Sequence, residues 1–194
     1  MKACTYTMII PKTDNNITIA PDHYLRVATP DDAPALFNII NSQRPYLREW
    51  LPFVDLTRQI SDTAFYLQTI VNSTSDRVFV IVSEEIICGL IGFKGIEYFN
   101  RKVEIGYWLS EHYQGKGIMR RSCSRLLQYA FEGLNMNRVQ LKVAPKNYKS
   151  RNIPIKLGFT LEGTEREGEL RNGHYHDLEV YSLLKKEWLA QKAT

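Results

Sequence analysis

Residues 105–120 read IGYWLSEHYQGKGIMR: an apolar strand-like run, a short polar loop, then Gly115 and Gly117 leading into a helix-like pattern. The chemistry such a segment can do is anion binding. The first turn of a helix presents amide hydrogens with no intrahelical acceptor, together with the positive end of the helix dipole. Glycine lets that backbone close on a ligand with no Cβ in the way. The combination suits a pyrophosphate, and Lys116, Arg120 and Arg121 add positive charge beside it. Spacing alone leaves a second reading open, because ordinary tight turns lead into helices through the same G-x-G pair. No G-x-x-x-x-G-K-[ST] occurs, which excludes a P-loop. No G-x-G-x-x-G opens a parallel βαβ unit, which disfavours a dinucleotide-binding domain.

Other residues could do chemistry near such a loop. Asn147 and Ser150 lie three apart across a helix start, so their side chains share one edge of the turn. A turn residue and a helix cap account equally well for the pair. Strand alternation puts Glu104, Gly106 and Trp108 on one face. Glu165, Glu167 and Glu169 form an acidic cluster that reads as an exposed loop. His174 and His176 alternate on a strand beside Asp177. Two ligands on one face are too few for a metal site and no third is apparent, so no metal is expected. Cys4, Cys88 and Cys123 are far apart and form no C-x-x-C, which argues against a disulfide framework or zinc. Tyr46, Trp50 and Phe53 fall near a pair of short helices, where they serve either the core or the wall of a groove.

The elements that must position these residues can be read from periodicity. Residues 24–28 read as a strand. Thr29-Pro30-Asp31-Asp32 gives a helix start, with Ala35, Leu36, Ile39 and Ile40 at helical spacing. A second helix is expected over 45–51 and a third over 61–71, with Ser61 as its cap. Strands follow at 77–83 and 86–98, joined by a Glu84-Glu85 turn, and at 101–110. A long helix runs over 117–133, a strand over 139–144, and a short helix over 149–157 that ends at Gly158. Residues 159–165 and 175–184 are the last two strands. The order defines an α+β chain with a largely antiparallel sheet. Residues 1–194 fit one domain, with 1–20 as an extension or hairpin around Asp14-Asn15-Asn16. The formal charge of +4 comes with no basic arm, so no direct nucleic-acid partner is expected. No apolar run can span a bilayer, and the first ten residues lack a signal-peptide plan. The cytoplasm is the expected location.

Taken with its surroundings, Gln114-Gly115-Lys116-Gly117-Ile118 resembles the [QR]-x-x-G-x-[GA] pyrophosphate loop of the GNAT N-acetyltransferase superfamily. Met119 stands where that pattern has a small residue, which is similar to the Rim-type branch, the ribosomal-protein N-terminal acetyltransferases. Further matching blocks are Trp50-Leu51-Pro52, 100–108, 134–139, 147–150, Leu157-Gly158-Phe159 with Glu162-Gly163, and 173–188. The resemblance covers the chain from about residue 24 onward.

The resemblance implies the acyl-CoA N-acyltransferase fold, a mixed and mostly antiparallel sheet flanked by helices, and acetyl-CoA as cosubstrate. It implies that the backbone of Tyr107, Trp108 and Leu109 pairs with the pantetheine arm. The cofactor loop would comprise Gln114, Gly115, Lys116, Gly117, Ile118 and Met119, with the amides of Gly115, Gly117, Ile118 and Met119 holding the pyrophosphate. Asn147 resembles the Asn that bonds the pantetheine, and Ser150 the Ser that protonates the leaving thiolate. Glu169 falls where a Rim-type enzyme carries its base, and Glu104 is the rival on the strand before Trp108. The implied acceptor is the N-terminal amine of a protein, of ribosomal type, and the implied assembly a homodimer. Two alternatives stand beside it: a small amine such as an antibiotic or polyamine, and a CoA-binding module without catalysis.

Overall fold

The computed structural model describes residues 16–193. Most of the extension expected at 1–20 lies outside them. Its described end is a strand, β1 (Ile17–Ala20), which forms a hairpin with β2 (His23–Val27). Thr29 then starts a 3-10 turn, Pro30–Asp32, that runs into α1 (Ala33–Ser42). The Thr29 N–H donates to the Asp32 carboxylate at 2.8 Å, and that carboxylate also takes the Arg26 guanidinium. Two more helices follow, α2 (Arg44–Arg48) and α3 (Ile60–Val71). Ser61 is not the cap of α3. Asp62 accepts the N–H groups of Arg58 (2.8 Å) and Gln59 (3.0 Å), so the helix starts earlier and Ser61 lies inside its first turn.

The next strands, β3 (Arg77–Ser83) and β4 (Ile86–Glu97), form a hairpin closed by Glu84 and Glu85 at φ of 52° and 63°. A two-residue hairpin loop of this kind needs positive φ at both positions, here imposed on residues with side chains. After β5 (Lys102–Leu109) comes α4 (Ile118–Gln128), which ends in a single π-helical turn, Tyr129–Gly133. Then follow β6 (Arg138–Val143), α5 (Tyr148–Lys156), and the long hairpin of β7 (Thr160–Arg171) and β8 (His174–Leu184). The expected strand ending at 165 is six residues too short, since β7 reaches Arg171 through an irregular stretch between Glu165 and Glu169. A terminal helix, α6 (Lys185–Lys192), was not expected. It is short and lysine-rich, and its anchor is one apolar residue, Trp188, packed on Phe131 with ring centroids 5.2 Å apart.

The eight strands make one sheet in the order β1-β2-β3-β4-β5-β6-β8-β7. Every neighbouring pair is antiparallel except β5 and β6. Both faces are covered, which is why β3 is apolar at consecutive positions. Val78, Val80 and Val82 pack with Leu36, Ile40 and Leu67 on one face. Phe79 and Ile81 pack with Cys123, Leu126 and Phe131 on the other. Each such fully buried side chain contributes about 1.5–3 kcal/mol.

The parallel pair is where the sheet opens. Only Lys102, Val103 and Glu104 of β5 pair with β6, opposite Arg138, Val139 and Gln140. Beyond Glu104 the two strands part, so 105–109 of β5 are paired with β4 alone and 141–143 of β6 with β8 alone. The gap between them is the centre of the site.

Candidate active site

The loop after β5 is held from several sides. Gln43, at the end of α1, donates to Ser110 Oγ and accepts from the Glu111 N–H, both at 2.8 Å. The Gln114 side-chain amide donates to the Tyr46 hydroxyl and accepts from Lys149 Nζ at 3.0 Å. Gly115 and Gly117 then adopt φ of 74° and 73°, the left-handed region that favours glycine. The first bond of α4 runs from the Arg121 N–H to the Gly117 carbonyl. Gly117 has no side chain to cap the helix, so the amides of Ile118, Met119 and Arg120 find no acceptor among the described residues. Unfilled amides at a helix start, preceded by left-handed glycines, form an anion-binding nest.

This loop walls a cleft of about 710 Å³. Of the residues singled out from sequence, Tyr107, Trp108, Leu109, Gln114, Gly115, Gly117, Ile118, Met119, Asn147 and Ser150 all line it. Lys116 does not. Its ammonium lies 5.2 Å from the centre of the ring of Tyr113, which does line the cleft, in a cation–π contact. Arg121 Nη1 lies 3.0 Å from where a Cβ on Gly117 would stand, and Arg121 Nε is buried with no hydrogen-bond partner among the described residues.

Asn147 and Ser150 meet as their spacing implies, with different roles. Asn147 caps α5, its Oδ1 accepting the Ser150 N–H at 3.1 Å, so its side-chain oxygen is engaged in the chain itself. Ser150 is not a cap. Its Oγ lies 3.1 Å from the Tyr107 hydroxyl, which also donates to the Ser150 carbonyl at 3.2 Å. Desolvation pushes the Tyr107 phenol far above its usual range, so it stays neutral. Sequence reading used only the backbone of Tyr107. Alternation would have put its side chain on the face opposite Trp108, although nothing in the sequence marks Ser150 as its partner.

A second cavity of about 620 Å³ opens on the α1–α3 side of the sheet. It shares Trp50, Leu51, Tyr107, Trp108, Asn147 and Ser150 with the first, so the two clefts meet in the gap between β5 and β6. Glu104 and Glu169 both line this groove. Glu104 accepts from Gln140 at 3.2 Å and faces Lys94 Nζ at 3.7 Å. Glu169 is not a loop acid: it sits on β7 opposite His176. One of its oxygens takes Arg171 Nη1 at 2.7 Å. Arg171 is only 6% exposed and lies 5.6 Å from the centre of the Trp50 ring. Asn172 reaches from the same hairpin tip to the Arg48 carbonyl at 3.3 Å. Sequence reading missed Arg171, because the ring that covers it, Trp50, lies about 120 residues earlier. His174 is exposed opposite Arg171, and Asp177 accepts the Glu167 N–H at 2.8 Å. Burial pushes the Cys88 thiol up to about 12, and Cys123 higher still, so both are inert at neutral pH.

A splayed mixed sheet with a glycine nest at its gap is the architecture of an acyltransferase that binds a CoA thioester, and residues 23–160 match the acetyltransferase (GNAT) domain family. The chain belongs to that family and is an acetyl-CoA-dependent N-acetyltransferase. It is 37% identical over 192 residues to YdaF of Bacillus subtilis (strain 168), provisionally named a ribosomal N-acetyltransferase, covering 95% of this chain and all of that one. A solved structure of RimL, a ribosomal L7/L12 alpha-N-protein acetyltransferase in complex with coenzyme A, superposes with a TM-score of 0.85 at 26% identity, covering 89% of this chain and 99% of that one. The spermidine N(1)-acetyltransferase of Escherichia coli (strain K12) is 30% identical over 124 residues, 64% of this chain and 67% of that one. No described helix is long and apolar enough to cross a membrane.

Proposed function

We propose that this chain acetylates the N-terminal amine of a protein, with acetyl-CoA in the loop-side cleft and the acceptor in the groove. The observation that carries this reading is the meeting of the two cavities at Tyr107, Trp108, Asn147 and Ser150. In it, the amides of Gly115, Gly117, Ile118 and Met119 take the pyrophosphate. The unpaired edge of 105–109 takes the pantetheine amides as an added strand would. The amine attacks the thioester carbonyl, a backbone N–H of 107–109 receives the developing oxyanion, and the C–S bond breaks with its electron pair on sulfur. Ser150 gives its proton to that sulfur and recovers one from solvent, while the proton shed by nitrogen leaves through the base, so that amide and thiol form with no net change in charge. An α-amino group of pKa about 8 needs only a modest base. We assign that role to Glu169, which has one oxygen on Arg171 and the other without a partner among the described residues. Glu104 has both oxygens engaged and shapes the groove.

The groove favours a single amine on a neutral body. Its carboxylates are each matched within the chain: Asp62 by two amides, Glu104 by Lys94 and Gln140, Glu169 by Arg171. Its walls include Trp50, Phe53, Phe65 and Tyr66. A polyamine needs further unmatched carboxylates for its remaining ammonium groups. The spermidine relative supports small amines as the second reading. The test is a mass-spectrometric acceptor screen with acetyl-CoA, using peptides with free N-termini, spermidine and simple amines. Acetylation of peptides at the α-amine is expected; acetylation of spermidine with no peptide product overturns the reading. A cytoplasmic homodimer belongs to the same proposal, and sedimentation of the purified chain tests the assembly.

A further inference from the structure

Ser150 stands in the first turn of α5, and four residues later the helix breaks its own rule. The ordinary donor to the Ser150 carbonyl would be the N–H of residue 154, which is Pro154 and has none. The Tyr107 hydroxyl, arriving from β5, takes that carbonyl at 3.2 Å. The same hydroxyl lies 3.1 Å from Ser150 Oγ. A phenol has one hydrogen. With that hydrogen committed to the carbonyl, the second contact is satisfied only when Ser150 donates and Tyr107 accepts. Three hydroxyls deeper in their own helices behave differently. Ser42, Thr69 and Ser122 each turn back to the carbonyl four residues earlier, at 2.7, 2.9 and 3.0 Å. Ser150 is the third residue of α5, where the carbonyl four residues earlier lies outside the helix, and its hydroxyl finds its acceptor on β5 instead.

We propose that Tyr107 and Pro154 act together as positioning residues for Ser150. The proline leaves the carbonyl unclaimed, the carbonyl fixes the phenol, and the phenol oxygen holds the Ser150 hydroxyl at the junction of the two cavities. This rests on the role proposed above for Ser150 at the leaving sulfur. Rotation about the Cβ–Oγ bond then swings the hydroxyl hydrogen from Tyr107 to the sulfur without moving Oγ. Tyr107 keeps its own proton on the carbonyl throughout, so the serine hydroxyl is the one rotor that changes partner.

The test has two arms. The first is thermal denaturation of the wild type, Tyr107→Phe, Pro154→Ala and the double variant. Pro154→Ala returns an N–H to the helix, so loss of the phenol should lower the melting temperature less in that background. Additive shifts would mean that the carbonyl is not shared, and would overturn the proposal. The second arm is turnover of a peptide with a free N-terminus at saturating acetyl-CoA. Ser150→Ala should lower kcat about 100-fold. Tyr107→Phe should lower it about tenfold, with the acetyl-CoA KM changed less than about twofold. Added to Ser150→Ala, Tyr107→Phe should cause no further loss. Pro154→Ala should lower kcat about threefold even though it removes a helix breaker. Equal losses from Tyr107→Phe with and without Ser150 would mark a packing role and refute the inference. Normal turnover by Ser150→Ala would instead remove the role of Ser150, while the thermal cycle still reads the link between Tyr107 and Pro154.

Discussion

The two cavities that meet at Ser150 are built from different materials. The loop-side cleft is built largely of backbone: the edge of β5, two left-handed glycines and the uncapped amides of α4. Its anion-binding groups lie within one continuous stretch, 107–119, with Asn147 and Ser150 closing the end that meets the groove. The groove is built of side chains gathered from across the chain, among them Leu36, Trp50, Phe65, Glu104, Lys142 and Arg171. A backbone site demands particular residue types, because only glycine adopts those angles freely and leaves that space. A side-chain groove needs only that some side chain of suitable size and charge arrive. The first is therefore intolerant of small changes and indifferent to the acceptor; the second should be tunable without disturbing the first.

The sharpest way to break that comparison is Gly117→Val. The position has φ of 73°, and a Cβ there would stand 3.0 Å from Arg121 Nη1. A β-branched residue is strained at this angle and crowds the nest. Acetyl-CoA affinity by calorimetry should fall about 100-fold, the sum of backbone strain and lost amide contacts. An unchanged affinity would mean that the backbone is not what binds.

The same division explains what the sequence could reveal. The loop was legible because its function is written in glycines at fixed spacing before a helix. Most strands were legible because alternation and β-branching mark them, and β3 matched its expected range, 77–83. The pairing of β5 with β6 over three residues only, which opens the site, has no local signature; it depends on where β8 and the helices hold β6. Glu165, Glu167 and Glu169 read as an exposed loop, the rival to a base at Glu169, because three acids so close together look like a solvated turn. They stand in a strand, Glu165 and Glu169 paired with β8 on either side of a bulge in which Glu167 has φ of 54°. Lys116 lies over the Tyr113 ring, a partner that no spacing in the loop announces. The phenol of Tyr107 carried no mark, because its partner Ser150 is 43 residues away, and the burial of Arg171 against Trp50 comes from a residue equally unmarked in sequence.

Arg171→Met sharpens the other side of the comparison. It removes the guanidinium that holds Glu169 and covers Trp50, and keeps a side chain of similar length. A charged hydrogen bond of this kind is worth about 1.5–3 kcal/mol, so the acceptor KM should rise about tenfold or more. Acetyl-CoA affinity should stay within about twofold, because the nest is untouched. A matching loss of acetyl-CoA affinity would show that the two cavities are one mechanical unit.

The smallest effect concerns the sheet that holds both sites. Below the gap, Arg138 of β6 grips Glu162 of β7 through two bonds, of 2.6 and 2.5 Å, and Ser182 of β8 adds a third at 2.7 Å. The Arg138 guanidinium, then the Ser182 hydroxyl, hold the Glu162 carboxyl down to about 2, from an ordinary value of 4.5. A carboxyl depressed in the folded state stabilises above its unfolded value and loses that contribution as the pH falls through its folded value. Its side chain is 41% exposed, so solvent screens much of the pair. Glu162→Gln should therefore lower the melting temperature by only about 2 °C at pH 7. That gap should persist down to about pH 5, narrow below it, and close near pH 2. The loop-side cleft should ignore the change altogether, because its groups hang from β5 and α4 on the far side of the gap. Loss of acetyl-CoA binding at neutral pH in this variant would show that the strands beyond β6 also set the geometry of the nest.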